Sequence, residues 1–372
     1  RFKAGGFRDF LAVLFYLEGR MGLSRTMKAG ILHKAGNIRC ESIPVPEINS
    51  GEVLVAIKAV GICGSDILRF SRGVSPYNFS VLGHECAGEV IEVGRNVTSV
   101  KVKDRVAIMP VMSCGKCDFC RSGEYSLCDN FIRMGTRIDG CFAEYIKVSP
   151  ENLLKLPDNV DYESASILEP SAIALHSIKR AGILPGDVVA VLGCGPIGLL
   201  IAQWVKILGA RRVFAIDIAE EKLEIARKIG MTDCINAKNE DSVELVMRET
   251  KSRGVDLVFD SAGSKITFEQ SMRMARKLGK VVIVGLVEED VTLPQETVLA
   301  ILRHELTIYG VYDTDTKPIP LNSWQTSLYF IEAHRLDVKS LITHRFKIED
   351  IATVFKKIAR EREKFNKVIF VF

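Results

Sequence analysis

Long apolar runs, internal repeats and low-complexity tracts are all missing from this sequence of 372 residues. The apolar run FLAVLFYL at residues 10–17 is much shorter than the roughly 20 residues that a helix needs to cross a bilayer. The hydrophobic fraction of 47% and the charged fraction of 26% are ordinary for globular proteins. These observations argue against a membrane protein and against a disordered chain, and we expect no membrane partner.

A pronounced excess of positive charge is missing too. The formal net charge is +4, and residues 1–26 supply most of it, with five basic and two acidic side chains. Nucleic-acid-binding proteins normally carry a clustered excess of Lys and Arg. We therefore expect no nucleic-acid partner.

The first 26 residues differ from the rest of the chain. Basic residues precede the apolar run at 10–17, as in a signal peptide, but no A-x-A-like cleavage site follows it and the sequence does not begin with Met. We interpret residues 1–26 as a leader or non-native extension, and Met27 as the opening of the first domain.

Two patterns divide the remaining chain. In residues 27–170, short alternating runs such as EVLVAIKAVG predict a β-rich domain. In residues 171–312, strands alternate with amphipathic helices, which predicts a doubly wound parallel sheet of the α/β class. Residues 313–372 are mixed, and we interpret them as a return to the first domain. The predicted strands are DVVAVLG, RRVFAID, VDLVFDSAG, GKVVIVGL and ELTIYGVY, and the predicted helices are PIGLLIAQWVKILG, AEEKLEIARKIG and TFEQSMRMARKLG.

The stretch VVAVLGCGPIGLL contains the pattern G-x-G-x-x-G at Gly193, Gly195 and Gly198. It follows a predicted strand and opens a predicted helix, and Asp217 ends the next strand. Such a turn lets the backbone approach a pyrophosphate, which then sits at the helix N-terminus. Because Asp217 would accept hydrogen bonds from ribose hydroxyls and repel a 2′-phosphate, the sequence predicts NAD rather than NADP.

Two further residues belong to this predicted cofactor site. Ile197 lies inside the glycine pattern, and Lys222 lies in the helix after Asp217, within reach of a ribose or phosphate. A solvated helix face is the other interpretation of Lys222. A glycine-rich turn that binds nothing is the alternative for the whole pattern.

Four cysteines occupy fifteen residues in CGKCDFCRSGEYSLC, at Cys114, Cys117, Cys120 and Cys128. This spacing lets four thiolates converge on one tetrahedral zinc ion, and a site with four protein ligands is structural because no position stays open. A disulfide framework is typical of small secreted domains, and a nucleic-acid-binding finger needs a basic reading element. We therefore predict a structural zinc, with a disulfide or redox role and a recognition finger as alternatives.

A second set of possible metal ligands is scattered along the chain. GICGSD offers Cys63, GHECAGEV offers His84 and Glu85, and LEPSAIALH offers Glu169. Three protein ligands leave a fourth position for water or a substrate oxygen, which is typical of a catalytic zinc. Taken singly, each residue also fits a buried core or a surface position.

The motifs GHE, FAEY and LEP, together with the four-cysteine loop and the glycine pattern, resemble those of zinc-dependent medium-chain dehydrogenases across residues 27–372. Within this superfamily the chain is similar to the polyol and threonine dehydrogenase branch. The resemblance implies a GroES-like β-rich catalytic domain, a Rossmann domain and a cleft between them. It also implies one catalytic and one structural zinc per chain, and an assembly of two or four copies.

Site roles follow from the resemblance residue by residue. Cys63 and His84 match catalytic zinc ligands, and either Glu85 or Glu169 matches the third. Ser65 matches the hydroxyl that relays the substrate proton, and Asp66 matches the partner that orients His84.

One further position and one further segment extend the comparison with the superfamily. A histidine that some alcohol dehydrogenases carry five residues after the ligand cysteine is replaced by Leu68. The segment Val284, Gly285 and Leu286 resembles the lining of the nicotinamide pocket, although a buried strand end is the other interpretation.

Two differences from the sequences of sorbitol dehydrogenases bear on the identity of the substrate. Those enzymes carry an aromatic residue six positions after the ligand cysteine, where this chain has Arg69, and an Arg-Tyr pair where this chain has GVYDTD. Arg69, with MGTRIDGCFAEY, RHELTIYG and SWQTS, is more similar to galactitol-1-phosphate 5-dehydrogenases. A guanidinium is well shaped to bind phosphate, although a solvated Arg69 is the alternative.

The resemblance therefore implies oxidation of a secondary hydroxyl of a sugar alcohol or sugar-alcohol phosphate to the ketose. Sorbitol, threonine or another secondary alcohol is the alternative substrate, and a non-catalytic sensor that keeps the fold is the alternative class. We interpret the other histidines as structural or solvated and Cys40, Cys86, Cys141, Cys194 and Cys234 as buried thiols. Since thiolate zinc sites belong to reducing compartments, we expect a cytoplasmic protein.

Overall fold

A computed structural model describes residues 25–73, 80–316 and 321–372. Most of the segment interpreted as a leader therefore lies outside the described residues. Strand β1 already begins at Thr26, and the Arg25 guanidinium lies 5.3 Å from the centre of the Tyr145 ring. Within the described ranges, no helix is long and apolar enough to cross a membrane.

The first part of the chain is rich in short strands, as predicted. Its strands are β1 (Thr26–Lys34), β2 (Asn37–Pro44), β3 (Val53–Gly61), β4 (Glu85–Val93), β5 (Arg105–Ile108), β6 (Val111–Met112), β7 (Ile132–Arg133), β8 (Tyr145–Val148) and β9 (Leu153–Lys155). Its helices are α1 (Gly64–Arg72), α2 (Asp118–Arg121), α3 (Tyr162–Ala165) and α4 (Leu168–Ala181). Strand β3 is buried along nearly its whole length, because sheet neighbours and packed side chains cover both of its faces.

The end of the chain contributes two strands to the first sheet. Helices and strands alternate here, in the order α10 (Ser323–Glu332), β16 (Ile342–Phe346), α11 (Ile351–Arg360) and β17 (Lys367–Val371). The sheet order is β16-β17-β3-β4-β5-β9, with β8 pairing β3, and β17 runs antiparallel to β3. Residues near position 370 therefore lie beside residues near position 60.

The second sheet is parallel throughout its six strands. Its elements are β10 (Val188–Leu192), α5 (Pro196–Ile207), β11 (Arg212–Asp217), α6 (Glu220–Lys228), β12 (Asp233–Asn236), α7 (Ser242–Glu249), β13 (Val255–Asp260), α8 (Lys265–Met274), β14 (Ala275–Ile283), α9 (Gln295–Arg303) and β15 (Thr307–Gly310). The order β12-β11-β10-β13-β14-β15 is that of a doubly wound dinucleotide-binding fold. The predicted fold class, a β-rich domain plus a Rossmann domain, is thus confirmed.

One predicted helix is shorter than its sequence pattern indicates. The pattern TFEQSMRMARKLG predicts a helix as far as Gly279, but α8 ends at Met274 and β14 begins at the next residue. Ala275 pairs with Val255 of β13, so the chain enters the sheet before the helical pattern ends. Pairing in the sheet has outweighed local helix propensity here.

The two sheets share one hydrophobic core through the helix α4. Its Ser171 hydroxyl donates to the Ser327 hydroxyl at 2.9 Å and accepts from the Trp204 indole at 3.2 Å. These three residues come from α4, α10 and α5 respectively. Because Glu169 lies in the first turn of α4, the same helix that joins the sheets also places a carboxylate at the cleft.

Candidate active site

The turn from β3 into α1 places Cys63 at the start of a helix. The carboxylate of Asp66 accepts a hydrogen bond from the Cys63 amide at 2.9 Å, which is the capping arrangement typical of a helix N-terminus. The second oxygen of Asp66 accepts from the Gly83 amide at 3.4 Å. A fully buried carboxylate thus ties the Cys63 turn to the segment that carries His84.

His84 lies just before β4 and is fully buried. Its Nδ1 lies 3.6 Å from Oδ1 of Asp66, and neither ring nitrogen has a hydrogen-bond partner within the described part of the chain. Burial lowers the pKa of His84 well below its usual range, and the positive charges of Arg133 and Arg69 lower it further. A neutral buried imidazole without a partner is well suited to bind a metal ion.

The side chains of Cys63, His84 and Glu85 converge, with their possible ligand atoms within 4.8 Å of one another. Burial raises the pKa of the Cys63 thiol to about 12, and the carboxylates of Glu85 and Asp66 also raise it. A thiolate in such surroundings needs a cation beside it, and a soft thiolate, an imidazole and a carboxylate are all zinc ligands. The three residues therefore fit the catalytic zinc that the sequence predicts.

Glu169 lies on the other side of His84. Its Oε1 is 4.0 Å from the His84 Nε2, and the same oxygen accepts a hydrogen bond from the guanidinium of Arg133. Burial raises the pKa of Glu169 to about 8, an effect that the Arg133 charge opposes and the Glu85 charge supports. All four predicted ligands thus meet, with Glu85 inside the compact group and Glu169 at its edge.

Ser65 and Arg69 follow Cys63 on α1. The Ser65 hydroxyl is shielded from solvent and finds no hydrogen-bond partner among the residues described. Arg69 is half-buried and donates to the Ser65 carbonyl at 3.0 Å. Both residues lie on the helix that begins at Cys63, and their roles at the site stay predictions.

Three charged residues at this site were not identified from the sequence. Lys367, on β17, donates to the Glu85 carboxylate at 2.5 Å and to the Ile62 carbonyl at 3.2 Å. Arg133, on β7, contacts Glu169, and its Nη1 lies 3.3 Å from Oδ2 of Asp313. The only sequence signal for Asp313 was its place in GVYDTD, where the chain departs from sorbitol dehydrogenases. Lys367 and Arg133 showed no signal at all.

The four-cysteine loop forms a separate, compact group whose sulfur atoms lie within 4.8 Å of one another. The Cys114 amide donates to the Cys128 sulfur at 3.2 Å. Hydrogen bonds from the Lys116 and Cys117 amides lower the pKa of the Cys114 thiol to about 6, which favours the thiolate that zinc binds.

Two glycines close the turns of this loop, with φ of +70° at Gly115 and +87° at Gly123. Such left-handed backbone is readily adopted only by glycine. The loop therefore fits the predicted structural zinc.

The glycine pattern forms the turn between β10 and α5, as predicted. Gly193 has a φ of +92°, and a side chain on Gly198 would collide with the Gly193 carbonyl. In contrast, the space above Gly195 is open, so nothing blocks approach to the helix N-terminus that begins there. This open cradle fits a pyrophosphate, and Ile197 packs its half-buried side chain against the core behind it.

Asp217 ends β11 beside this turn. One of its oxygens accepts from the Cys194 amide at 2.7 Å and the other accepts from the Ala219 amide at 2.9 Å. Lys222 is half-buried on α6, near enough for its charge to act on Cys194. The backbone thus holds the Asp217 carboxylate at the carboxyl end of the sheet, where the ribose of a dinucleotide binds.

Val284, Gly285 and Leu286 follow β14 and leave the sheet at the cleft. The amides of Val284 and Gly285 both donate to the Asp260 carbonyl at 2.9 Å. The three residues line a cavity of about 310 Å³, to which His176 and the cysteine loop also contribute. Their position at a cavity agrees with a ligand contact, whereas the alternative of a buried strand end does not hold for the exposed Leu286.

The five remaining cysteines meet the expectation of buried thiols only in part. Cys194 is buried and free, but Cys40 and Cys234 are only half-buried. Cys86, on β4, and Cys141, before β8, are both buried, and their sulfur atoms lie against each other. The pair is buried as predicted, and its two members are brought together from positions 55 residues apart.

These features define a class of protein: a dehydrogenase with a dinucleotide-binding sheet, a β-rich partner domain and two places built to hold zinc. The comparison with protein families agrees with that class. Residues 49–158 match the alcohol dehydrogenase GroES-like domain, and residues 196–332 match the zinc-binding dehydrogenase domain. The chain belongs to the zinc-binding alcohol dehydrogenase family and is an oxidoreductase.

Similar proteins include enzymes that act on sugar alcohols. Sorbitol dehydrogenase of Bacillus subtilis is 34% identical over 93% of this chain and 97% of that enzyme. Galactitol 1-phosphate 5-dehydrogenase of Escherichia coli is 34% identical over 90% of this chain and 97% of that enzyme. A crystal structure of galactitol-1-phosphate dehydrogenase from Escherichia coli superposes with a TM-score of 0.85 at 32% identity, covering 93% of this chain and 100% of that one.

Proposed function

We propose that the protein oxidises a secondary hydroxyl of a sugar alcohol or sugar-alcohol phosphate to the ketose, with NAD as the hydride acceptor. The observation that carries this proposal is the compact group of Cys63, His84 and Glu85, in which the buried His84 nitrogens have no partner in the described structure. The reaction removes a hydride and a proton from the carbinol and yields a ketone, NADH and a proton.

Each residue of the ligand group has a proposed task. Cys63, His84 and Glu85 would hold a zinc ion, and such an ion supplies Lewis acidity that lowers the pKa of an alcohol. Asp66 orients the His84 ring through Nδ1, since it lies 3.6 Å away and is itself held by two amides. Ser65 relays the substrate proton: its hydroxyl oxygen, which is not engaged elsewhere among the described residues, accepts that proton while its own proton passes on to solvent.

The third ligand is assigned to Glu85 rather than Glu169. Glu85 lies within the compact group, while Glu169 is held at its edge by Arg133. Lys367 donates to one oxygen of Glu85, and a carboxylate can still bind a metal through its other oxygen. Glu169 is then free to face the substrate, as a residue that contacts hydroxyl groups.

NAD is proposed as the cofactor because of Asp217. Its carboxylate is fixed by the Cys194 and Ala219 amides and cannot swing away from a 2′-phosphate. A fixed negative charge at this position repels the extra phosphate of NADP and accepts hydrogen bonds from the hydroxyls of NAD.

The sugar-alcohol class is supported by the names of the similar enzymes, which act on sorbitol and on galactitol 1-phosphate. Arg69 supports the phosphorylated form, since its guanidinium is close enough to the site for its charge to affect the pKa values of His84 and Asp66. Neutral sugar alcohols, threonine and simple diols are the other substrates to compare.

The decisive experiment measures NADH formation by the zinc-loaded protein with galactitol 1-phosphate, ribitol 5-phosphate, sorbitol, threonine and butane-2,3-diol. We expect turnover of a sugar alcohol or its phosphate at a kcat/KM at least about tenfold above that of threonine. The variant Cys63→Ser should lose this activity, and Cys40→Ser, which changes a remote half-buried cysteine, should keep it. Absence of turnover on the whole panel would refute the proposal.

We also propose that the protein assembles as a homodimer or homotetramer through the edge strand β15. This strand ends the parallel sheet, and Ile308 on it is 42% exposed. An exposed apolar edge strand is a surface that proteins usually cover. Light scattering that gives the mass of a single chain at micromolar concentration would contradict this assembly. Because the cysteine loop needs thiolates, we place the protein in the reducing cytoplasm.

A further inference from the structure

A buried guanidinium lies between two buried carboxylates at the edge of the ligand group. Arg133 contacts Oε1 of Glu169 and lies 3.3 Å from Oδ2 of Asp313, and only 12% of its side chain is exposed. Burial alone would lower the pKa of Arg133, but the Asp313 and Glu169 charges raise it overall, so the side chain stays charged. Its Nε has no hydrogen-bond partner among the described residues.

Asp313 is the second of the two buried carboxylates beside Arg133. Its side chain is 0% exposed, and among the described residues only the Arg133 guanidinium and the adjacent Thr314 amide face its carboxylate oxygens. Its backbone φ of +58° is uncommon for a residue with a side chain. A buried carboxylate is costly unless its oxygens are well supplied with donors, and the positions left open on Asp313 suit a ligand that donates hydrogen bonds.

The charges of this cluster restrict what that molecule is. The one guanidinium is already paired with the carboxyl groups of Glu169 and Asp313, so no positive charge is left over to bind a phosphate group. Hydroxyl groups fit better, because each can donate to a carboxylate oxygen and accept from the Arg133 Nε. The cluster adjoins the reacting centre, since the Glu169 oxygen is 4.0 Å from the His84 Nε2.

We infer that Arg133 and Asp313 bind the hydroxyl groups on the carbons next to the oxidised one, so that the site selects diols and polyols over monohydroxy alcohols. This inference rests on the proposed function and names its substrate determinant. Any phosphate of the substrate then lies away from this cluster, at the far end of the molecule.

The test compares butane-2,3-diol with butan-2-ol, which differ only in the neighbouring hydroxyl. We expect the zinc-loaded wild type to prefer the diol by at least about tenfold in kcat/KM, as a site with buried polar groups rejects an analogue that leaves them unpaired. In Asp313→Ala and Arg133→Lys this preference should fall at least about tenfold, mainly through KM for the diol. Calorimetric titration of the diol into the NADH-bound protein should show the same loss of affinity.

Lys179→Gln is the matched control, because it removes the ion pair of the partly exposed Lys179 with Asp315, only two residues from Asp313. Its diol preference should equal that of the wild type. Equal losses on both alcohols in Asp313→Ala, or a lower melting temperature with an unchanged preference, would overturn the inference alone. A wild type that oxidises no alcohol of the panel would overturn the proposed function and this inference together.

Discussion

The Asp217 carboxylate accepts hydrogen bonds from the Cys194 and Ala219 amides, and we propose that its charge also selects the cofactor. We expect Asp217→Ser to raise the ratio of kcat/KM for NADP to that for NAD by at least about tenfold, because the repelling charge is gone and the serine hydroxyl still forms hydrogen bonds. Initial rates with the two cofactors measure this ratio.

Asp233→Ser serves as the control for that change. Asp233 lies on the neighbouring strand β12 and pairs with Arg212 at 2.6 Å, away from the glycine turn. It should leave the cofactor ratio unchanged. An Asp217→Ser enzyme that still prefers NAD as strongly as the wild type would remove Asp217 from cofactor selection.

Arg69 provides the second test on a single residue. If it binds the phosphate of the substrate, Arg69→Ala should raise KM for galactitol 1-phosphate by at least about tenfold and leave KM for galactitol within about twofold, because a guanidinium contributes a charged hydrogen bond only where an anion is present. Steady-state kinetics on the two substrates give the answer.

Arg72→Ala is the matched control on the same helix. Arg72 is exposed and pairs with Glu288 at 3.2 Å. We expect it to change KM for both substrates little and equally. Equal increases for both substrates in Arg69→Ala would show that Arg69 supports the helix rather than the phosphate.

At the scale of elements, the strands β13 and β14 are joined by a buried carboxylate. Burial alone would raise the pKa of Asp256, but hydrogen bonds from Arg253, the Val188 amide and Arg276 outweigh it and lower the pKa to about 2. A folded-state pKa below the usual 3.8 stabilises the fold above about pH 4, and this contribution disappears as the pH falls towards 2.

Asp256→Asn should therefore lower the free energy of unfolding by roughly 2 kcal/mol at pH 7, since one pKa unit corresponds to about 1.4 kcal/mol. The difference from the wild type should shrink between pH 4 and pH 2. Urea unfolding at a series of pH values measures it. A difference that stays constant down to pH 2 would contradict the assignment.

The four-cysteine loop can be tested through its zinc content and its contribution to thermal stability. Cys120 is buried in the sulfur group, so Cys120→Ser should lower the zinc content from about two ions per chain to about one and lower the melting temperature. Metal analysis by mass spectrometry and thermal unfolding are the measurements. A Cys120→Ser chain that retains two zinc ions would contradict the structural site, and Cys40→Ser should match the wild type.

Sequence patterns predicted those parts of the molecule that depend on neighbouring residues. The glycine turn and the cysteine loop each lie within fifteen residues, and local spacing determines their geometry. The strands β10, β11 and β13 were located because buried parallel strands are continuous apolar runs. The strand β12, with only four residues, and the helices α7 and α9, with eight and nine residues, were not identified.

The charged partners in the site could not be predicted in the same way. Arg133 contacts Glu169 across 36 positions, and Lys367 contacts Glu85 across 282. No spacing rule links residues so far apart. From the sequence alone, Arg133 and Lys367 cannot be told from ordinary surface charges. The roles of the predicted site residues and the domain limits at 170 and 312 stay predictions.

At the scale of the whole molecule, two chemically separate regions meet along the cleft. The first sheet and its helix α1 supply the metal ligands, and the parallel sheet supplies the cofactor turn. The Asn366 side chain donates to the Cys194 carbonyl at 3.1 Å, so the segment leading into β17 touches the glycine turn as well. A single stretch of chain near residue 366 therefore contacts both halves of the site.

The late position of the segment near residue 366 affects how the protein folds during synthesis. Lys367 reaches the Ile62 carbonyl across 305 positions, and β17 pairs with β3, so the catalytic pocket stays unfinished while the ribosome is still translating the parallel sheet. Domains generally fold as units during synthesis, and the parallel sheet can do so early. The pocket cannot, and a nascent chain released before residue 367 would leave Glu85 buried without its cation.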